Sequence, residues 1–243
     1  MHMPGAVLLS RGLRCAAAAV ALGTALNAYS AIAWPNIPLP PSTRGEKVGD
    51  EMRVNGLPMR ATAFESALAP QDVIKFYQTT WRGRAGQLSD EKRVADWTVV
   101  SYTESTFHTT VQVRPRPNGA GSIGYIGTTS RDGTERPDFS ARGLPQPAGA
   151  RVLSAVESDD PGRTSVQVTM MSPMSVSSSA SYYESSLRRD GWTPELRPKP
   201  GKTAGVDPIY ATYNRGPEQL DVVFSRDPAS GQTYINANRV RPK

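Results

Sequence analysis

The chain has 243 residues, of which 21% are charged, 38% hydrophobic and 7% aromatic, with 21 Pro, 21 Gly and a net charge of +6. That length suits one or two domains, and few aromatics with many turn formers favour short strands over large helical packing. Two histidines and one cysteine leave little material for a zinc centre or a disulfide framework.

In chain order, residues 1–33 stand apart. Arg11 and Arg14 form a positive start, an Ala-rich apolar stretch follows from Cys15, and Ala31-Ile32-Ala33 places small residues where a signal peptidase reads. This order predicts a secretory signal peptide cleaved between Ala33 and Trp34, and so a periplasmic or secreted protein. The competing reading is an uncleaved anchor, because no charge lies between Arg14 and Arg44. Against it, Thr24, Asn27 and Ser30 interrupt a weakly hydrophobic segment. Cys15 opens the apolar stretch instead of closing it, which is the wrong place for a lipoprotein cysteine. Removing the segment leaves 26 basic against 22 acidic residues, a charge of +4, and no thiol. Such a chain folds on packing alone.

Residues 34–45, with Pro35, Pro38, Pro40 and Pro41, read as an extended leader. A first α+β unit is expected over 46–129. It opens with an alternating run ending at Ser66, followed by a helix begun by Pro70 and Asp72, with Val73, Ile74, Tyr77 and Trp81 on one face. Strands then follow over Thr106–Arg114 and Ser122–Thr128, where Phe107, Thr109, Val111 and Val113 oppose His108, Thr110, Gln112 and Arg114. Residues 130–143 form a polar linker. A second unit is expected over 144–243. It has an alternating run to Ser172, a serine-rich helix with Val176, Ala180, Tyr183 and Leu187 on one face, a stop at Gly191, and strands over Gln219–Ser225 and Gln232–Ala237.

The two units lie over each other with an offset of 106 residues, both from Ser66 to Ser172 and from Tyr77 to Tyr183. A constant offset across several elements is the mark of an internal repeat. The expected fold is therefore α+β, as two tandem small domains, each an antiparallel sheet packed by one α-helix. The Tyr183, Leu187, Gly191-Trp192 pattern resembles one found in bacterial exported domains, and no activity follows from it.

The chemistry on offer is sparse. After export His108 is the one histidine, it falls on the wet side of its strand, and no G-x-S-x-G elbow accompanies it. Glu157, Asp159, Asp160, Asp50 and Glu51 are the densest oxygen ligands for calcium, but Asp159-Asp160-Pro-Gly reads as a turn between strands. Gly119, Gly121 and Gly124 are hairpin glycines, not a phosphate loop. No catalytic residue, metal site or cofactor is predicted.

Basic residues remain. Arg82 and Arg84 follow the first helix, Arg197, Lys199 and Lys202 follow the second, and Arg239, Arg241 and Lys243 read as a basic tail. Arg82, Arg84, Lys199 and Lys202 are the candidate contacts to an anionic partner; the alternative is that they complement helix ends and keep the surface charged. The expectation is an exported, non-catalytic protein that binds another envelope protein as an accessory subunit. Its first alternative is a module for an anionic polymer or cell-surface glycan, and a hydrolase ranks behind both. No nucleic acid is expected as a partner, and no transmembrane segment after signal cleavage.

Overall fold

A computed structural model describes residues 32–94, 96–117, 119–133, 135–196 and 208–243. The predicted signal segment, apart from Ile32 and Ala33, lies outside the described residues, as do Arg197, Lys199 and Lys202. Trp34–Lys243 forms one compact unit. Among the described residues no helix is long and apolar enough to cross a membrane.

Antiparallel sheet dominates, with two helices. The first half runs β1 (Thr43–Val54), β2 (Leu57–Ser66), α1 (Pro70–Trp81), the short β3 (Gln87–Leu88) and β4 (Lys92–Val94), then β5 (Trp97–Glu104), β6 (Phe107–Pro115) and β7 (Ser122–Ser130). The second half runs β8 (Arg151–Asp160), β9 (Arg163–Ser172), α2 (Val176–Arg189), β10 (Thr193–Leu196), β11 (Ile209–Arg215), β12 (Glu218–Arg226) and β13 (Thr233–Pro242). The sheet order is β10-β11-β12-β13-β9-β8-β1-β2-β7-β6-β5-β3, with β4 also on β5. One sheet therefore passes through both halves, joined where Glu51–Val54 of β1 pairs with Val156–Asp159 of β8.

Each helix forms because an apolar stripe finds the sheet. On α1, Val73, Ile74, Tyr77 and Trp81 are buried against Phe64, Val100, Tyr102, Val111, Val113 and Ile126. Full burial of each such side chain contributes about 1.5–3 kcal/mol, and the Trp81 ring also stacks on Tyr102 at 5.2 Å. On α2, Val176, Ala180, Tyr183 and Leu187 meet Val168, Met170, Tyr213, Leu220, Phe224 and Ile235. Its many serines make α2 a poor helix in isolation. Packing and caps hold it: Ser175 Oγ accepts from the Ser178 amide at 3.1 Å, and Gly191, at φ 80°, ends the last turn.

Two similar side-chain contacts precede the two helices. Ser66 Oγ accepts from the Leu68 amide at 3.1 Å, and Ser172 Oγ accepts from the Met174 amide at 3.2 Å. Opposite them in the ladder, Ser122 Oγ donates to the Leu68 carbonyl at 2.9 Å and Thr233 Oγ1 donates to the Met174 carbonyl at 2.8 Å.

Register decides which way the helices face. Side chains alternate along a strand, and residues paired across a ladder share a face. Arg53 pairs with Pro58, which has the parity of Phe64 on the α1 side. Arg53 also pairs with Glu157, which has the parity of Ala155 on the α2 side. Both helices thus cover the same face of the sheet. The residues expected to form an extended leader lie on that face too: Ile37 packs on the α1 core, Tyr77 donates its hydroxyl to the Pro38 carbonyl at 3.0 Å, and Trp34 meets Phe107 at 5.7 Å. β1 begins at Thr43, inside the segment read as leader. The expected polar linker is also tied down, since Arg142 binds Asp138 and, at 2.7 Å, Glu157.

Candidate functional site

Among the described residues the opposite face carries no helix. His108 belongs to it, and its ring is held by two threonines: Thr103 Oγ1 lies 2.8 Å from Nδ1 and Thr110 Oγ1 3.3 Å from Nε2. Half-burial, and then the Arg131 charge, lower its pKa below the usual histidine value. With a threonine at each ring nitrogen, no serine–histidine–carboxylate relay is assembled around it. The oxygen ligands singled out in the sequence also have other occupations, with Glu157 bound to Arg142 and Asp159 to Lys243. Among the described residues no group of three or more His, Cys, Asp or Glu side chains converges.

Of the four basic residues expected to meet an anion, Arg82 and Arg84 are exposed just beyond α1. Lys199 and Lys202 lie outside the described residues. The predicted basic tail is not a tail, since Arg239 and Arg241 are part of β13 and the chain pairs with β9 as far as Pro242.

What the open face does assemble is a trough of about 510 Å³ across five strands of the first half. Its floor includes Ala63 of β2 and Ile123 of β7. Pairing aligns Arg44 with Glu65, Glu65 with Ile123, and Ile123 with Arg114 in one cross-strand row. Trp97 ends the row: the Arg114 guanidinium lies 4.8 Å from its ring centroid, and Tyr125 packs at 5.8 Å on the same ring. Tyr125 is 44% exposed, so one edge of this aromatic pair is open to a ligand.

Charges around the trough are mixed and partly mated. Arg114 is bound to Asp96 at 2.8 Å and Arg116 to Glu65 at 3.1 Å, while the Nε atoms of both arginines are buried without a hydrogen-bond acceptor. The Arg114 contact holds the Asp96 carboxyl below the usual carboxylate range. Arg44 and Glu46 line the β1 side and are exposed. The matching row of the second half runs Arg151, Met171, Tyr234 and Ser225, so it keeps an arginine where β1 has Arg44 and has uncharged residues in place of Glu65 and Arg114. The Glu65 and Arg114 charges are therefore not something the sheet needs in order to form.

Sequence reasoning missed this site because its residues come from five strands and meet only through register. The one local signal was the alternation that put Gln112 and Arg114 on the wet side of β6. Comparison of the chain with protein-family models, curated proteins and solved structures returned no match.

Proposed function

We propose that the protein is an exported, non-catalytic binding protein of the cell envelope that takes a partner protein on the open face of its sheet. The observation that carries this is the placement of both helices and the leader on one face, which leaves the other uncovered among the described residues. A trough with an exposed aromatic edge between cations and carboxylates suits a protein segment with an apolar anchor and charges of both signs. The balance of Arg44, Arg114 and Arg116 against Glu46, Glu65 and Asp96 gives a polyanion no advantage there. Export rests on the order of charged, apolar and small residues in 1–33. A similar order of elements, two strands, a helix and then four or five strands, and the matched Ser66 and Ser172 contacts support an origin of the two halves by duplication of one α+β unit.

The test is site-specific photocrosslinking in the native envelope. A crosslinker at Gln112, beside the trough, captures a defined envelope protein, and one at Lys75 on the outer side of α1 does not. Capture is lost on Tyr125→Ala. Equal capture from both positions, or capture unchanged by Tyr125→Ala, removes the proposal.

Binding of an anionic polymer is the alternative, favoured by the exposure of Arg82 and Arg84, which make no ion pair among the described residues. It requires salt-sensitive retention on an anionic matrix that falls when Arg82, Arg84, Lys199 and Lys202 are replaced by serine.

A further inference from the structure

A second cluster of arginines sits on the helix-covered face, at the ends of β11, β12 and β13 beyond α2. Arg215 pairs with Glu218 in the β11–β12 ladder, and Arg239 pairs with Leu220 in the next ladder. Tyr213, Leu220 and Ala237 belong to the α2 core, so by parity Arg215, Glu218, Arg239 and Arg241 all point to that side.

The side chains are held in place before any ligand arrives. Glu218, whose side chain is only 12% exposed, accepts from Arg241 at 3.1 Å and from Arg215 at 3.4 Å. The Arg215 guanidinium also lies 4.6 Å from the centroid of the buried Trp192 ring. Arg239 stands among them, half-buried. Its side chain donates to the Arg142 carbonyl at 3.4 Å, and no carboxylate lies within ion-pair distance of it among the described residues. Arg142 offers no charge to share, because Asp138 and Glu157 already occupy its guanidinium. Three guanidiniums therefore face one carboxylate, a surplus of two positive charges in a partly desolvated place.

A half-buried cation without a counter-ion is costly, and an anion that enters recovers that cost. Guanidinium forks match tetrahedral oxyanions through paired N–H donors, and a phosphate group at neutral pH carries close to two negative charges. We propose that Arg239, with Arg215 and Arg241, forms a binding site for a phosphate group. The group can come from free phosphate or from the headgroup of a phospholipid, which share this chemistry. The site is remote in sequence and opposite in face to the trough, and it stands or falls independently of it.

The experiment titrates the purified protein with sodium phosphate and follows binding by calorimetry and by the thermal midpoint. Sodium chloride at matched ionic strength serves as the screening control. Saturable binding is expected, weakened about tenfold or more by Arg239→Gln and by Arg241→Gln, whose exposed position spares the fold. Lys75→Gln, which removes one positive charge from the exposed side of α1, leaves binding unchanged. Cosedimentation with phosphatidic acid vesicles against phosphatidylcholine vesicles separates the sources: retention on the former adds the lipid headgroup, and its absence confines the site to free phosphate. A phosphate effect no larger than that of chloride, or equal loss in Lys75→Gln and Arg239→Gln, overturns the proposal.

Discussion

Asn55 and Ala155 exchange two hydrogen bonds across the junction of the halves. The Asn55 amide donates to the Ala155 carbonyl at 2.7 Å, and the Ala155 amide donates to Asn55 Oδ1 at 2.8 Å. Asn55 adopts a left-handed conformation at φ 49°, which asparagine tolerates better than most residues, and its own carbonyl accepts from the Asp138 amide at 2.8 Å. The side chain therefore extends the β1–β8 ladder by a bond, while the backbone carbonyl ties down the segment around Asp138.

Asn55→Ala removes the acceptor for the amide of the fully buried Ala155 and adds strain at the positive φ. The expected loss is about 2–3 kcal/mol in urea unfolding. Asn55→Asp keeps the acceptor and should lose less than half as much. Equal losses for the two variants would show that the junction does not depend on Oδ1.

Ser66→Ala and Ser172→Ala probe the repeated contact at the start of each helix. Ser66 Oγ also accepts from Thr43 Oγ1 at 2.8 Å, but that hydroxyl has a second acceptor in the Pro41 carbonyl at 3.1 Å, so loss of Ser66 Oγ strands the Leu68 amide near a buried position. Each change should cost about 1–2 kcal/mol, and the double variant should lose the sum, because the sites share no partner. A double variant no worse than either single one would contradict independent, equivalent roles.

Much of this fold was legible residue by residue. The buried stripes of α1 and α2 follow the helical spacing, and β6 with β7, and β12 with β13, follow alternation around turn residues. The β1–β8 pairing was not legible. β1 runs two residues longer than its partner between Val48 and Met52, an irregularity that no local pattern announces, and its pairing with β8 spans about a hundred residues. The trough shared that obstacle. Arg239 and Arg241 were legible as a pair on one side of a strand, since they are two residues apart, yet a basic run at a chain end reads more readily as a tail.

Tyr77 and Tyr183 occupy matching places on α1 and α2 but differ in hydrogen bonding. The Tyr77 hydroxyl reaches the Pro38 carbonyl, whereas the Tyr183 hydroxyl is buried without a partner among the described residues. Tyr77→Phe should cost about 1 kcal/mol in unfolding free energy, with the lost bond loosening the leader. Tyr183→Phe should be neutral or stabilising, since it deletes an unsatisfied group. A reversed order in denaturation midpoints would refute the assignment.

The same burial sets an alkaline limit on stability. Desolvation is the leading cause that pushes the Tyr213 hydroxyl up to about 12, and it raises Tyr77 and Tyr183 above the usual tyrosine range as well. A neutral acid whose folded pKa exceeds its unfolded value keeps its proton in the native state after the unfolded chain has released its own. Stability is therefore full below the unfolded value of about 10 and falls as pH rises past it. For Tyr213 the loss spans the interval from about 10 to about 12, and Tyr77 and Tyr183 begin to contribute from the same lower bound. Urea midpoints should be flat up to about pH 9 and then decline, and Tyr213→Phe should make the decline shallower. Tyrosinate absorbance should show some of the nine tyrosines titrating only as circular dichroism is lost. If all of them ionise near the ordinary value while the protein stays folded, the buried hydroxyls are accessible to water and the packing of the α2 core is looser than its contacts indicate.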